Sequence, residues 1–543
     1  MKLPSSCVLA GAALTAAFAL SAPARAQLPP VPVPANNPIT QDKVNLGKAL
    51  FWDEQLSSTR TVACGTCHRP TGGGADPRTA FAVNPGPDGA FGTADDVLGS
   101  PGVPQSEASG IYTRNAIFGF DEQVTGRIAP TAINAAFNVE QFWDGREGGV
   151  FKDPLSGAVV LNGDASLENQ AANPPVGPSE MSHLGRDWQD VADRVAASSP
   201  LALATSVPTA LDSWINGRSY QQLFQQVFGD SNITPARILM AIATYERILI
   251  SDQTPFDLDQ LTPMQRWGLD LFNDKARCSL CHEGNLFRDN SYHNIGLRPA
   301  DEDLGRFAVS NLPEDRGAFK TPGLRNVGLR SAFMHNGAHR SLAEVIEFYD
   351  RGGDFFDNLD PKMQPLGLTF SEKTALLDFL ENGLTDPRVA NRMPPFDPPG
   401  LYADATRVPQ HFGDPVAGSG GFEPRLIALE PPMLGNPNAT ICLVDGLGGA
   451  QAVLAFDAQK GFGLPAFGVP MWVLGTGAMV LVPLGPLDGA GDGQGAWSGT
   501  FPMPVSSVFN GVKIYLQAFV VDPGGPQGIV TTDGLEMILF QGR

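Results

Sequence analysis

Two copies of one pattern, C-x-x-C-H, decide the fold of this chain: Cys64-Gly65-Thr66-Cys67-His68 and Cys278-Ser279-Leu280-Cys281-His282. In this pattern both thiols bond to one porphyrin, and the adjacent histidine binds the iron at its centre. Chance alone would place one match in about one chain in a thousand, and two in about one in a million. A redox dithiol needs no histidine, and a zinc site that pairs two C-x-x-C units needs none directly after each. The sequence therefore predicts two covalently bound haem c groups.

Composition limits the class of protein. The chain has 543 residues, 42% of them hydrophobic and 17% charged, which excludes a disordered chain. At roughly 150 residues per domain, this length predicts about three domains. The formal net charge of −20 argues against a nucleic-acid-binding protein, which needs a basic face, and favours a cationic partner.

The N-terminal residues 1–26 have the pattern of a cleaved secretory signal peptide. Lys2 forms a basic start, an apolar run follows from Val8 to Leu20, and Ala24-Arg25-Ala26 offers a cleavage site before Gln27. The run is too short to span a bilayer, and no later stretch reaches the roughly 18 apolar residues that a transmembrane helix needs. We therefore expect an exported protein without a transmembrane segment, in the periplasm, with an extracellular or cell-surface location as the alternative.

The two haem motifs divide the rest of the chain. We expect a first haem domain at 27–255, a second at 256–400, a linker rich in Pro and Gly at 401–420, and an accessory domain at 421–543. The apolar spacing of Asp42–Trp52 predicts an amphipathic helix that leads to the first motif. Helix-start signals occur at Thr234-Pro235, which opens a helix predicted to end at Ile250, at Thr262-Pro263 before the second motif, and at Ser341–Glu344.

The accessory domain has a different pattern. Short β-type runs alternate with Gly-rich turns, which predicts an all-β, sandwich-like domain. The runs are Val453–Phe456, Met479–Val482 and Val512–Leu516. The domain also contains the fifth cysteine outside the signal peptide, Cys442, which we expect to be a small buried apolar residue.

Further motifs occur in a fixed order around the two haem sites. They are Leu46–Phe51, Pro130–Phe137, Phe142–Arg146, Gln170 with Pro174, Ser179–Met181, Phe287–Asn290, His293–Leu297, Phe319–Asn326, Phe333–Gly337 and Phe348–Gly353. In this respect the chain resembles the bacterial di-haem cytochrome c peroxidase family, including its MauG branch, over about two thirds of its length. The resemblance implies a mainly α fold of two cytochrome c-like haem domains, here followed by the all-β domain.

The resemblance also implies roles for individual residues. His68 and His282 would bind the two irons, and His335 would lie near the second haem. Peroxide would bind at the first haem, where Glu180 would move the proton and Gln170 would orient the peroxide. Trp143 would lie between the haems and carry electrons from one to the other.

Departures from the family pattern concern the ligands of both irons. No histidine occurs between His68 and His183, so we expect the first haem to be open at rest, as in MauG-like members. Fourteen residues after His335, Tyr349 occupies the place where the peroxidases have a Met ligand and MauG has a Tyr. Tyr349 is therefore the candidate for the second iron, with Met334 and Met363 as alternatives.

Two more departures concern protein oxidation and calcium. MauG uses a surface Trp two residues before its second haem motif to oxidise a protein, and this chain has Ala276 there. Ile128 replaces a side-chain ligand of the Ca²⁺ that the family holds between its domains. Asp88, Asp95 and Asp96 are compatible with a separate Ca²⁺ loop and equally with a solvated acidic loop.

Together these features predict an oxidoreductase of the cytochrome c peroxidase type. It would reduce H2O2 to water with electrons from a small redox protein, either a cytochrome c or a cupredoxin. Two alternatives stay open: a MauG-like oxidase or oxygenase that acts on an organic or protein substrate, and a non-enzymatic di-haem electron carrier. A monomer and a dimer are both compatible with the sequence.

Overall fold

The computed structural model describes residues 28–474 and 479–543, so the predicted signal peptide lies outside the described residues. Short helices joined by long loops build the part of the chain before residue 391. They are α1 (Gln41–Phe51), α2 (Cys64–Cys67), α3 (Ser166–Ala171), α4 (Trp188–Ala197), α5 (Thr209–Ile215), α6 (Tyr220–Phe228), α7 (Pro235–Glu246), α8 (Pro263–Asn273), α9 (Phe307–Ser310), α10 (Leu342–Arg351), α11 (Phe370–Asp378) and α12 (Pro387–Ala390).

One helix crossing occurs near each haem motif and depends on a glycine. In the first haem domain, α1 crosses α7 at Gly47, where a Cβ atom would lie 1.9 Å from the carbonyl oxygen of Ala241. In the second, α8 crosses α11 at Gly268, where a Cβ atom would lie 2.1 Å from the carbonyl oxygen of Ala375. Any larger residue would force the helices apart, so these two glycines set the closest approach of each pair. The same arrangement thus recurs in both haem domains: the helix before the C-x-x-C-H motif crosses a later helix at a glycine.

The predicted helix starts are confirmed by their caps. The hydroxyl groups of Thr234 and Thr262 accept hydrogen bonds from the first turns of α7 and α8, and a proline follows each cap. Ser341 caps α10 in the same way, although the Glu344 carboxylate accepts from the Arg340 amide rather than completing a capping box with Ser341. Helix α7 ends at Glu246, four residues before the predicted end at Ile250.

Strands dominate the C-terminal part. Small strand pairs within the haem domains are β1 (Val83–Asn84) with β2 (Val97–Leu98), β3 (Val150–Lys152) with β4 (Val159–Asn162), and β5 (Tyr292–His293) with β6 (Phe319–Lys320). The C-terminal strands are β7 (Gln410–Phe412), β8 (Arg425–Ile427), β9 (Ala439–Gly448), β10 (Gln451–Asp457), β11 (Lys460–Ala466), β12 (Val469–Val473), β13 (Val480–Pro486), β14 (Gly491–Phe501), β15 (Lys513–Val521), β16 (Ile529–Thr531) and β17 (Gly534–Ile538).

Two antiparallel sheets face each other in this C-terminal part. One has the order β13-β10-β15-β17-β7, with β16 beside β15, and the other has the order β14-β9-β8. Ile441 and Leu443 of β9 pack with Leu454 of β10 and with Leu516 and Ala518 of β15 in a shared apolar core. The predicted sandwich-like β region is therefore present, and all three predicted runs contribute to strands.

The structure differs from the prediction in two respects. It is 27% helical, so the expectation of a mainly α protein is not confirmed: long loops separate the helices, and the β region is large. The predicted linker 401–420 contains strand β7, which pairs with β17 at the edge of the larger sheet. In the part of the chain that the structure describes, no helix has both the length and the apolar character needed to cross a membrane.

Candidate functional site

The first haem motif is held rigidly inside the protein. It forms the short helix α2, whose start is fixed by the Ala63 amide donating to the Thr66 hydroxyl at 2.9 Å. Gly65 packs against the indole of Trp52, and a Cβ atom there would lie 2.2 Å from the ring. These contacts fix the backbone of the motif. One cavity is lined by the free thiols of Cys64 and Cys67 and by the imidazole of His68.

Both motif histidines have the protonation pattern of an iron ligand. His68 Nδ1 lies 3.2 Å from the carbonyl oxygen of Gly74, and His282 Nδ1 lies 3.0 Å from that of Phe287. A carbonyl only accepts, so Nδ1 carries the proton and Nε2 presents the lone pair that binds a metal. Burial lowers the pKa of both imidazoles, which keeps them in this neutral form.

We call the space lined by Cys64, Cys67 and His68 the first cavity. The three predicted catalytic residues line the same space. Its walls include Gln170, Glu180 and Trp143. Its volume of about 490 Å³ lies within the ~300–1,000 Å³ of ordinary small-ligand pockets. Among the described residues that line this cavity, His68 is the one histidine.

Glu180 is half-buried at the end of a tight turn. The backbone amides of Glu180 and Met181 both donate to the carbonyl oxygen of Gly177, at 3.0 Å each. The guanidinium of the buried Arg186 donates to the carbonyl oxygens of Leu56 and Pro175, which anchors the flanking chain. Burial raises the pKa of the Glu180 carboxyl, and the positive charge of Arg146 partly opposes that rise. The carboxyl group can therefore exchange a proton closer to neutral pH than an exposed glutamate can.

Trp143 lies between the two haem sites. Its buried indole lines both the first cavity and the cavity around the second motif, and Nε1 donates to the carbonyl oxygen of Ile128 at 2.9 Å. Its ring centroid is 6.3 Å from that of His335, which is itself stacked on Phe319 at 3.6 Å. The backbone amide of Ile128 donates to the carbonyl oxygen of His335 at 2.8 Å. These bonds join the tryptophan to the second haem domain.

An arginine bridges the two haem domains beside Trp143. Arg127 donates to Asp144 of the first domain at 2.7 Å and to Asp303 of the second at 2.7 and 2.5 Å. Its guanidinium also lies over the ring of Phe319. The side chain of Ile128, at the position where the resemblance implies a calcium ligand, is apolar and packs near Trp143. The Arg127 guanidinium thus joins carboxylates of both domains here.

The second cavity, lined by Cys278, Cys281 and His282, contains every candidate for the second axial ligand. Its volume is about 200 Å³, and Tyr349, Met334 and Met363 all line it, as does His335. Burial raises the pKa of the Tyr349 phenol and lowers that of His335 to about 3, so both groups are neutral at neutral pH. All three candidate ligands of the second iron therefore line the same cavity.

The second motif differs from the first in its exposure. Gly65 and Thr66 of the first motif are buried, whereas Ser279 is half-buried and Leu280 is 44% exposed. Nearby, the His293 imidazole donates to Asp360 at 2.6 Å and to Asp289 at 2.8 Å. Cys281 lies within reach of this cluster, but its thiol belongs to the haem motif. The second site therefore comes close to the protein surface.

Sequence reasoning missed a buried carboxyl group in the first cavity. Glu246, at the end of α7, is 4% exposed and lines this cavity, and its Oε2 atom has no hydrogen-bond partner. Burial raises its pKa to about 8. Its neighbour Arg247 pairs with the buried Glu168. The sequence signal that could have indicated this group is the pair of adjacent charged residues, Glu246 and Arg247, at the end of a helix with a long apolar face.

The acidic loop at 86–96 is closed by its own backbone. Asp95 accepts a hydrogen bond from the amide of Asp88 at 3.0 Å, and Asp96 accepts one from the amide of Gly92 at 2.8 Å. Asp88 in turn accepts from the amide of Ala90. These bonds give the carboxylates a role in shaping the loop, and a Ca²⁺ ion there stays a prediction.

Comparisons with known proteins identify several similar proteins. The family described as di-haem cytochrome c peroxidase matches residues 41–261. The chain is 32% identical over 366 residues to methylamine utilization protein MauG of Methylorubrum extorquens, covering 66% of this chain and 82% of MauG. It is 30% identical over 427 residues to the cytochrome-c peroxidase IdrP1 of Pseudomonas sp. strain SCT, covering 70% and 92%. A solved MauG-like protein associated with microbial copper homeostasis aligns with 24% identity and a TM-score of 0.49, over 68% of this chain and 96% of that one.

The alignments with MauG and IdrP1, at 32% and 30% identity, cover most of the length of each relative and about two thirds of this chain. Each of the two C-x-x-C-H motifs lines a cavity, with a neutral histidine beside the thiols. The chain therefore belongs to the di-haem cytochrome c peroxidase family of oxidoreductases, whose members carry two haem c groups.

Proposed function

We propose that this protein reduces H2O2 to water in the first cavity, with electrons that enter through the second cavity from a small redox protein. The observation that carries the proposal is the composition of the first cavity. Glu180 and Gln170 share it with Cys64, Cys67 and His68. The family relationship supports a peroxidase, and this arrangement supplies the residues that peroxide chemistry needs.

Glu180 is proposed to move the proton. Reduction of H2O2 consumes two electrons and two protons and yields two water molecules. When bound, the haem groups supply the electron transfer. The Glu180 carboxylate takes a proton from one peroxide oxygen and returns it to the other, which leaves as water, so one group acts first as base and then as acid. The amide of Gln170 donates a hydrogen bond that orients the peroxide.

Trp143 is proposed to connect the two sites. It lines both cavities, and its indole is fixed by the bond to Ile128. The ion pairs of Arg127 hold the two domains in register around it. A buried aromatic ring in fixed contact with both sites is suited to passing electrons from the second to the first.

The exposure of the second motif supports electron entry there. Leu280 presents apolar surface beside the thiols of Cys278 and Cys281, which suits a transient contact with a small redox protein. The net charge of −20 favours a donor with a basic face, either a cytochrome c or a cupredoxin. The signal-like sequence at 1–26 supports an encounter in the periplasm, with an extracellular or cell-surface location as the alternative.

One alternative function loses support at Ala276. This residue stands where MauG has a surface tryptophan, and it is 3% exposed. A buried methyl group offers no oxidisable ring to a protein substrate. For the second iron, Tyr349 stays our first candidate ligand, ahead of Met334 and Met363.

Steady-state turnover tests the proposed function. We expect the holoprotein to oxidise a reduced cytochrome c or cupredoxin when H2O2 is added, with two donor molecules oxidised per H2O2 consumed. The measurement is donor absorbance against time at several H2O2 concentrations. Donor oxidation that proceeds with O2 alone, or only with an organic substrate, would contradict the proposal and favour an oxidase or oxygenase.

The pH dependence of the peroxide reaction reports on Glu180. A general base must be ionised, so the rate of the first step rises with pH through the pKa of this carboxyl. Burial raises that pKa, and we therefore expect the acid limb to lie above the ordinary glutamate value of 4.5. Stopped-flow rates of the resting protein with H2O2 between pH 4 and 8 measure it. A limb at or below that value would count against Glu180 as the base.

A further inference from the structure

A finger-like loop of the first haem domain reaches from the first cavity to the β region. Residues 100–126 form this finger, and bridges at Pro101 with Val124 and at Ser106 with Tyr112 hold its two arms together. Both ends of the finger line the first cavity, at Ser100–Gly102 and at Thr125 and Gly126.

The base of the finger is bonded to the segment that carries Glu180. At Gly102 a Cβ atom would lie 2.2 Å from the carbonyl oxygen of Ser179 and 2.7 Å from the Cα atom of Glu180, so the two backbones touch. The Gln123 side chain donates to the carbonyl oxygen of Pro178 at 2.9 Å. On the other side, the amide of Leu184 donates to the carbonyl oxygen of Ser106 at 2.8 Å. The finger therefore contacts the chain on both sides of Glu180.

The far end of the finger is held by the outer face of the smaller β-sheet. Side chains alternate along a strand, so odd-numbered residues of β9 face the sandwich core while Thr440, Cys442 and Val444 face the finger. Tyr112 is 3% exposed, and its ring packs in one cluster with Ile427 of β8 and with Cys442 and Val444 of β9.

Polar bonds complete this contact. The Tyr112 amide donates to the Ser498 hydroxyl at 2.9 Å, and the Thr440 hydroxyl donates to the carbonyl oxygen of Gly110 at 2.9 Å. The β region is attached to the haem body elsewhere as well, because Phe540, just after β17, packs in one cluster with Leu203, and the Arg543 amide donates to the carbonyl oxygen of Ala202 at 3.0 Å. One end of the finger thus rests on a sheet that is itself fixed.

We propose that Tyr112 is a positioning residue and that the β region, through it, holds the finger against the Glu180 segment. The accessory domain is then a structural part of the first site rather than a separate module. This inference rests on the role of Glu180 in the proposed function. The hydrogen-bonded residues are 330 positions apart in one pair and 386 in the other, so no local sequence pattern could predict the contact.

The test compares holoprotein variants at the contact. In Tyr112→Ala we expect faster amide hydrogen exchange at 177–184, above all at Leu184, and a rate of reaction with H2O2 that falls about 10- to 100-fold. Tyr112→Phe keeps the ring and should restore both values. Phe462→Ala removes a ring that is 78% exposed on β11 and should change neither.

Further arms keep the outcomes distinct. If Tyr112→Ala fails to fold, the double variant Thr440→Val with Ser498→Ala removes only the polar bonds and should show the same changes at smaller amplitude. Unchanged exchange at 177–184 in a folded variant whose finger amides exchange faster would overturn the inference. Failure of the unaltered protein to react with H2O2 would refute the proposed function, while the exchange data would still report whether the β region holds the Glu180 segment.

Discussion

Replacing Glu180 by Gln is expected to leave both haem groups in place and to lower H2O2 turnover by about 10²–10⁴-fold, the usual contribution of a general acid–base group. The amide keeps the size of the side chain but cannot take up or release the proton. The turn that contains Glu180 is closed by backbone hydrogen bonds to the carbonyl oxygen of Gly177. Its conformation therefore does not depend on the half-buried carboxyl group. Haem staining and stopped-flow reaction with H2O2 measure the two expectations.

Glu147→Gln is the matched control for this variant. Glu147 is half-buried, burial raises its pKa as well, and its carboxylate accepts from Asn173 at 3.1 Å, but it does not line the first cavity. We expect turnover within twofold of the unaltered protein, as for ordinary surface substitutions. Equal activity in Glu180→Gln and Glu147→Gln would remove the proposed proton transfer.

Trp143→Phe is expected to separate the two halves of the reaction. The variant should still react with the first equivalent of H2O2, because Glu180 and Gln170 are untouched, but it should lose most of its donor-supported turnover. The loss of the indole Nε1 also leaves the carbonyl oxygen of Ile128 without its donor, at a cost of about 1–3 kcal/mol of stability. Single-turnover and steady-state rates, measured on the same preparation, distinguish the effects.

Trp188→Phe controls for the stability loss. Trp188 is 4% exposed and its Nε1 donates to the carbonyl oxygen of Ala172 at 2.9 Å, yet it lines neither haem cavity. We expect a similar fall in the free energy of unfolding with donor-supported turnover retained. Parallel losses in the two variants would show that Trp143 serves the core and carries no electrons.

The sequence predicted the elements whose signals are local. The caps at Thr234, Thr262 and Ser341 and the β-type runs of the C-terminal region depend on neighbouring residues, so they could be identified before the fold was known. The resemblance of short motifs also indicated that Gln170 and Glu180 belong near His68, and one cavity contains all three.

The remaining features depend on contacts between distant parts of the chain. Strand β7 lies in a segment whose Pro and Gly content predicts a linker, and it becomes a strand because β17 offers an edge. Glu246 is directed into the first cavity by the way α7 crosses α1, which Gly47 controls. The contact of Tyr112 with β9 joins segments more than 300 residues apart. Local propensity contains no information about such pairings.

The most direct measurement is the electron paramagnetic resonance spectrum of the resting holoprotein, before and after one equivalent of H2O2. We predict a high-spin signal from the haem attached at Cys64 and Cys67, because His68 is the one histidine lining that cavity, and we predict that peroxide abolishes the signal. A spectrum with both irons low-spin, unchanged by peroxide in the resting and in the half-reduced protein, would contradict the account and leave a di-haem electron carrier.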